Sequence, residues 1–157
     1  MQDKTNAMRI LDAKKISYEV RRYGDGKTAL SGSEVASILG LNPDKVFKTL
    51  VTVGASRAHY VFMVPVEAEL DLKKAASAVK EKSVSMIAQK ELLPLTGYVH
   101  GGCSPVGMKK SFPTVIHFTA ENFDTIVFSG GRIGLQLEMP CASLSLAVKL
   151  EKADIIR

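Results

Sequence analysis

Cysteine is scarce in this 157-residue sequence. Its two thiols, Cys103 and Cys141, match no zinc-ligand spacing, and so sparse a pair excludes a disulfide framework and points to a reducing compartment, the cytoplasm. The three histidines, His59, His100 and His117, form no His-x-x-x-His pair, and no carboxylate or thiolate set completes a metal site around them. A protein with no metal and no cofactor is expected. No apolar run approaches the ~18 residues of a membrane span, and the opening Met1-Gln2-Asp3-Lys4-Thr5-Asn6 is polar where a signal peptide is apolar. A glycine-lysine-serine phosphate loop is also lacking, which excludes a nucleotide hydrolase of that type. Acidic residues are the minority, 16 against 21 Lys and Arg, and the net charge of +5 leans mildly toward an anionic partner such as RNA or a nucleotide.

What is present suffices for one core: 46% of residues are hydrophobic, and a chain of this length buries about 70% of the surface its unfolded form exposes. A single domain over 1–157 is expected. Thr5 reads as the N-cap of a helix whose face is Ala7, Met8, Ile10 and Leu11, running to about Lys15. Ile16, Tyr18 and Val20 then alternate with Ser17, Glu19 and Arg21 as a strand ended by Gly24-Asp25-Gly26, with Tyr18 facing either the core or a pocket. Ser31 and Glu34 have capping-box spacing, and Val35, Ile38 and Leu39 give a buried stripe before Gly40 closes that helix. Asn42-Pro43 suits a cap and first-turn proline. Further on, Gly54-Ala55-Ser56-Arg57 turns a hairpin into a strand from His59 to Val66, and Asp71 caps a helix on Leu72, Ala75, Ala76 and Val79 with a solvated lysine flank. Residues 88–93 read as helix stopped by Pro94 and Gly97, strands are expected over 113–118, 125–128 and 135–139, and 141–150 reads as helix.

Two features stand out for chemistry. The run Val46-Phe47-Lys48-Thr49-Leu50-Val51-Thr52-Val53 is a strand with one charge in it, and alternation puts Lys48 on a face with Val46, Leu50 and Thr52. A lysine among apolar neighbours must reach water or meet an acceptor, so Lys48 either guards a sheet edge or binds a ligand at a cavity rim. The second feature is a pair of glycine-rich loops, Gly101-Gly102-Cys103-Ser104-Pro105-Val106-Gly107 and Ser129-Gly130-Gly131-Arg132-Ile133-Gly134. Glycine lets backbone amides approach a ligand closely and cradle an anion.

Taken together, VFKTL around Lys48, GGCSPVGMKK from Gly101, FPTVI from Phe112 and SGGRIGLQLE from Ser129 resemble the YbaK/EbsC family of bacterial proteins, from about Lys4 to the C-terminal segment. That family is similar to the editing insertion domain of bacterial prolyl-tRNA synthetase, and its members resemble free-standing aminoacyl-tRNA deacylases. The resemblance implies an α+β fold, a mixed, largely antiparallel sheet curled into a barrel-like core with surrounding helices. It implies a trans-editing enzyme that releases cysteine from Cys-tRNA(Pro), or also Cys-tRNA(Cys), with aminoacyl-tRNA as substrate and prolyl-tRNA synthetase as a second candidate partner. It also implies a catalytic role for Lys48, with Thr49, Gly101, Gly102, Ser104, Gly107, Ser129, Gly130 and Gly131 around the aminoacyl group; Tyr18, from the strand reading, is a further substrate-binding candidate. His100 and His117 depart from the family pattern, standing where arginine and aspartate are frequent.

Cys103 as a nucleophile is disfavoured, because cysteine catalysis needs an adjacent base and a group to orient it, and His100 lies across two glycines with no third partner. For a cysteinyl ester the substrate's own thiol can attack, giving a cyclic thiolactone and free tRNA. Two other readings stay open at this point: an Ala-tRNA(Pro) deacylase, and a module that binds tRNA or a synthetase without chemistry.

Overall fold

A computed structural model describes residues 4–157. Thr5 caps α1 (Asn6–Ala13) by accepting from the Met8 amide at 3.2 Å, and β1 (Glu19–Arg22) follows. Ser31 and Glu34 form the reciprocal capping box of α2 (Gly32–Leu39), which ends at a left-handed Gly40. A 3-10 turn (Pro43–Lys45) delivers the chain into β2 (Phe47–Gly54), and a tight hairpin returns it as β3 (His59–Pro65). Asp71 caps α3 (Leu72–Val79) through the Lys73 and Lys74 amides. Next come β4 (Val84–Met86), α4 (Gln89–Thr96), β5 (Thr114–His117), β6 (Ile126–Ser129), β7 (Leu135–Met139), a short α5 (Cys141–Leu144) and β8 (Leu150–Ala153).

The strands form two sheets, β1-β7-β6 and β4-β2-β3-β5-β8. Only β3·β5 and β5·β8 are parallel, so the mixed, largely antiparallel architecture agrees with expectation. A single bridge, Val46 to Val127, ties the sheets together, and the curl stops short of a closed barrel. The main core lies where α1 (Ala7, Met8, Leu11) meets Phe47, Met63 and the apolar faces of β6 and β7. The other face of the five-stranded sheet packs Phe62, Val64 and Val115 against Ala75 and Ala76 of α3.

Several local expectations are corrected. The 141–150 segment is helical only over Cys141–Leu144; its end is pulled into β8 by parallel pairing with β5, a long-range contact that overrides local signals. α4 runs through Pro94 to Thr96 and ends at the left-handed Gly97; Pro94 and Lys90, whose carbonyl loses the bond that proline cannot donate, are both exposed residues. α2 buries Val35 and Ala36 while Ile38 is 57% exposed, so the apolar stripe is rotated from the one expected. β1 begins at Glu19, leaving Ile16 and Tyr18 before it. The short strand β4 was not expected at all.

Candidate active site

Between the Val46–Val127 bridge and the start of β4, β2 is paired on one side only. β3 flanks it from Phe47 to Val53, whereas β4 joins only at Thr52, Val53 and Gly54. This open edge of β2 is the wall of a cavity of about 420 Å³. Residues 46–51 line it together with Ser31, Gly32 and Val35 at the start of α2, Met86 at the end of β4 and Ile87 after it, Gln89 and Leu92 of α4, the loop residues His100, Gly101 and Cys103, and Ser129 and Gln136. Lys48 thus neither guards an outer sheet edge nor sits inside a fully paired strand.

Two polar groups on this wall lack partners. Lys48 is half-buried, and among the described residues its ammonium has no hydrogen bond and no ion pair. Beside it, the Thr49 Oγ1 is buried with no hydrogen-bond partner. A buried hydroxyl left unpaired costs about 1–3 kcal/mol, so Thr49 Oγ1 is a destabilising feature of the fold as it stands. Among the described residues no Asp or Glu lines the cavity. Cys103 does line it, but burial pushes its thiol up to about 12, and the opposing hydrogen bond from Thr96 is the smaller influence, so the sulfur stays protonated and inert at neutral pH.

Residues 27–145, three quarters of the chain, match the family model described as the aminoacyl-tRNA editing domain. The chain belongs to the aminoacyl-tRNA editing family. Among curated proteins it is 44% identical, over 92% of its own length and 89% of the relative's, to the Enterococcus faecalis protein named "Putative Cys-tRNA(Pro)/Cys-tRNA(Cys) deacylase EbsC". It is also 25% identical to a fifth of the proline--tRNA ligase of Kosmotoga olearia, matching 73% of this chain. Its fold matches the solved structure titled "Crystal structure of a putative trans-editing enzyme for prolyl tRNA synthetase", with a TM-score of 0.86, 22% identity and 99% of both chains covered. The YbaK-like architecture expected from the motifs is therefore the one observed.

Within this editing domain the expected site residues divide into two groups. Lys48, Thr49, Gly101 and Ser129 come together at the cavity. Gly102, Ser104, Gly107, Gly130, Gly131 and Tyr18 are not in its lining. Gly102 is the hinge of the two glycine loops: a Cβ there would sit 2.8 Å from the Arg132 backbone, so the loops can abut only without a side chain. Ser104 is fully buried and accepts from the Val106 amide at 3.2 Å. The carbonyls of Gly107 and Gly130 accept from Asn6 and Thr5, both at 2.6 Å, and the Gly131 amide donates to Ser129 Oγ at 3.3 Å. These glycines tie the loops to α1 and thereby hold Gly101 and Ser129 at the cavity. Tyr18 donates to Asp12 at 2.9 Å, and burial together with that carboxylate pushes its phenol up to about 12.

The cavity and its frame also include residues that the sequence did not flag. Gln136 is opposite Ser129 across β6 and β7 and lines the cavity. On the same strand, Glu138 is 7% exposed and accepts from Arg21 at 2.6 Å, Lys45 at 2.7 Å and Thr125 at 2.6 Å. Burial alone would raise its carboxyl; the hydrogen bonds from Lys45, Thr125 and Arg21 outweigh that and bring it down to about 2. His117 lies outside the cavity lining, buried at the end of β5, with its Nδ1 2.9 Å from Thr119 Oγ1 and its Nε2 3.5 Å from Asp154. Among the described residues no group of three His, Cys, Asp or Glu side chains could hold a metal ion, and no helix is long and apolar enough to cross a membrane.

Proposed function

We propose that this protein is a trans-editing deacylase that releases cysteine from mischarged Cys-tRNA(Pro), or from Cys-tRNA(Cys), in the cytoplasm. The observation that carries the reading is Lys48, half-buried and without a hydrogen bond or ion pair among the described residues, in the lining of a cavity where no described carboxylate stands. An aminoacyl ester is already reactive, so a protein accelerates its cleavage by holding it and by stabilising the negative charge that grows on the carbonyl oxygen. A lysine ammonium does this. Without a carboxylate or a poised imidazole–thiol pair, the wall supplies no evident general base and no activated nucleophile.

The nucleophile then comes from the substrate. The cysteinyl sulfur attacks its own carbonyl carbon, the bond from that carbon to the ribose oxygen breaks, and the thiol proton passes to the departing ribose hydroxyl. The products are a cyclic thiolactone, which water later opens, and tRNA with a free 3′ end. Cys103 is a spectator in this scheme, consistent with its raised thiol. Lys48, Thr49, Gly101 and Ser129 are the residues assigned to the aminoacyl group, with Gln136 added to them. The likeness to a synthetase segment makes prolyl-tRNA synthetase the candidate partner that supplies tRNA identity. Editing of this kind answers a physical limit, since a synthetase pocket separates side chains of similar size by only about 1–3 kcal/mol.

The test is a panel of Cys-, Ala-, Ser- and Pro-charged tRNA(Pro), with and without prolyl-tRNA synthetase. Rapid loss of the cysteinyl ester alone supports the proposal. Preference for the alanyl ester would make it an alanine editor, and binding without release would make it a tRNA-binding module.

A further inference from the structure

If the ester carbonyl lies against Lys48, as the proposed function requires, its leaving alcohol must point out through the cavity mouth. A cavity of about 420 Å³ falls in the range of about 300–1,000 Å³ that takes a drug-sized ligand, far more than a cysteinyl group fills. Part of the carrier nucleoside therefore enters as well. The exposed lining residues include three with large side chains: Met86 at the end of β4, Gln89 at the start of α4 and His100 in the loop after α4. Met86 is 47% exposed and belongs to none of the four apolar clusters. Among the described residues, neither the Gln89 amide nor the His100 imidazole has a hydrogen-bond partner.

We infer that Met86, Gln89 and His100 form a lip that binds the 3′-terminal adenine of the substrate. Each side chain suits a different aspect of that base. An imidazole is a planar surface on which a nucleobase stacks. A thioether makes favourable contacts with aromatic rings and adapts its shape to them. A glutamine amide can pair with the N6 amino group and N7 of adenine in a bidentate contact that guanine and the pyrimidines do not match. The backbone is compatible with this role, since Gly101, with φ of +85°, turns the chain immediately after His100 and brings it to the rim. His100 and Gln89 are positioning residues here: they hold the nucleoside while Lys48 faces the ester.

The experiment measures binding of a non-hydrolysable amide, 3′-cysteinylamino-3′-deoxyadenosine, against cysteinamide and against the corresponding guanosine conjugate. The wild type should bind the adenosine conjugate about tenfold or more tightly than cysteinamide, as stacking of one base gives roughly fivefold to a hundredfold. His100→Ala should remove most of that preference and His100→Phe should restore it, while Gln89→Ala should narrow the gap between the adenosine and guanosine conjugates. Equal binding of adenosine conjugate and cysteinamide by the wild type would overturn the inference. So would restoration by His100→Lys and not by His100→Phe, which would assign His100 to a phosphate. An intact adenine preference in a protein that releases no cysteine from tRNA would keep the lip and remove only the proposed reaction.

Discussion

Lys45 donates to the buried carboxylate of Glu138 over 2.7 Å, fastening the turn that leads into β2 to the middle sheet strand β7. Arg21 of β1 holds the same carboxylate, so one acid joins three elements around the strand that presents Lys48. Glu138→Gln is expected to destabilise the fold by about 2 kcal/mol, below the 3–5 kcal/mol typical of a broken buried pair because Arg21 and Lys45 reach water. Since the folded carboxyl is held at about 2, below its ordinary 4.5, its contribution is fully present above pH 4.5 and is lost as pH falls toward 2. Urea unfolding from pH 7 to 2.5 measures both effects, and the variant should lack that part of the acid-induced loss.

Thr49→Val separates a ligand-binding hydroxyl from a structural one. The change keeps the side-chain shape and removes a buried oxygen that bonds to nothing in the protein, so it should raise stability by about 1 kcal/mol. If the hydroxyl contacts the substrate, deacylation should fall at the same time. Thermal melts and single-turnover release on the same preparation test this opposition of stability and activity.

Gly102→Ala should act at a distance from the reacting atoms. A Cβ 2.8 Å from the Arg132 backbone forces the two glycine loops apart, at a cost of about 1–3 kcal/mol, and displaces Gly101 and Ser129 from the cavity wall. A lower melting temperature together with a raised KM is the expected result.

Much of this was legible in the sequence. The caps at Thr5, Ser31 and Asp71 and the hairpin at Gly54 are local chemistry, and each fell where the residues put it. Lys48 was legible because a charge inside a β-branched run violates its surroundings. Gln136 and Glu138 were not. They occupy the polar positions of an alternating strand, which read as solvent-facing, yet both are 7% exposed because other elements cover that face. The same limit hid β8, whose Glu151 and Lys152 give no alternation and whose pairing with β5 is long-range. The glycine loops were recognisable as shaped, but only the fold reveals that most of their glycines pack the loops against each other and α1 while Gly101 reaches the cavity.

The choice of nucleophile has its own test. Cys103→Ala and Cys141→Ala should each retain most activity, because neither thiol ionises near neutral pH: burial raises both. Replacing the substrate's cysteine by serine should suppress release, since a hydroxyl with no adjacent base is a far weaker nucleophile. Single-turnover assays at saturating enzyme, with detection of the thiolactone, distinguish poor binding of the serine ester from poor chemistry.

The most direct measurement is the single-turnover rate of cysteine release from Cys-tRNA(Pro) by Lys48→Ala, on protein whose circular dichroism matches the wild type. Among the described residues Lys48 has no hydrogen-bond or ion-pair partner, so its removal should leave the structure intact. It should also cost the roughly hundredfold to thousandfold in rate that follows loss of one oxyanion donor. A well-folded Lys48→Ala protein that releases cysteine at the wild-type rate would contradict the assignment of this cavity as the site of deacylation.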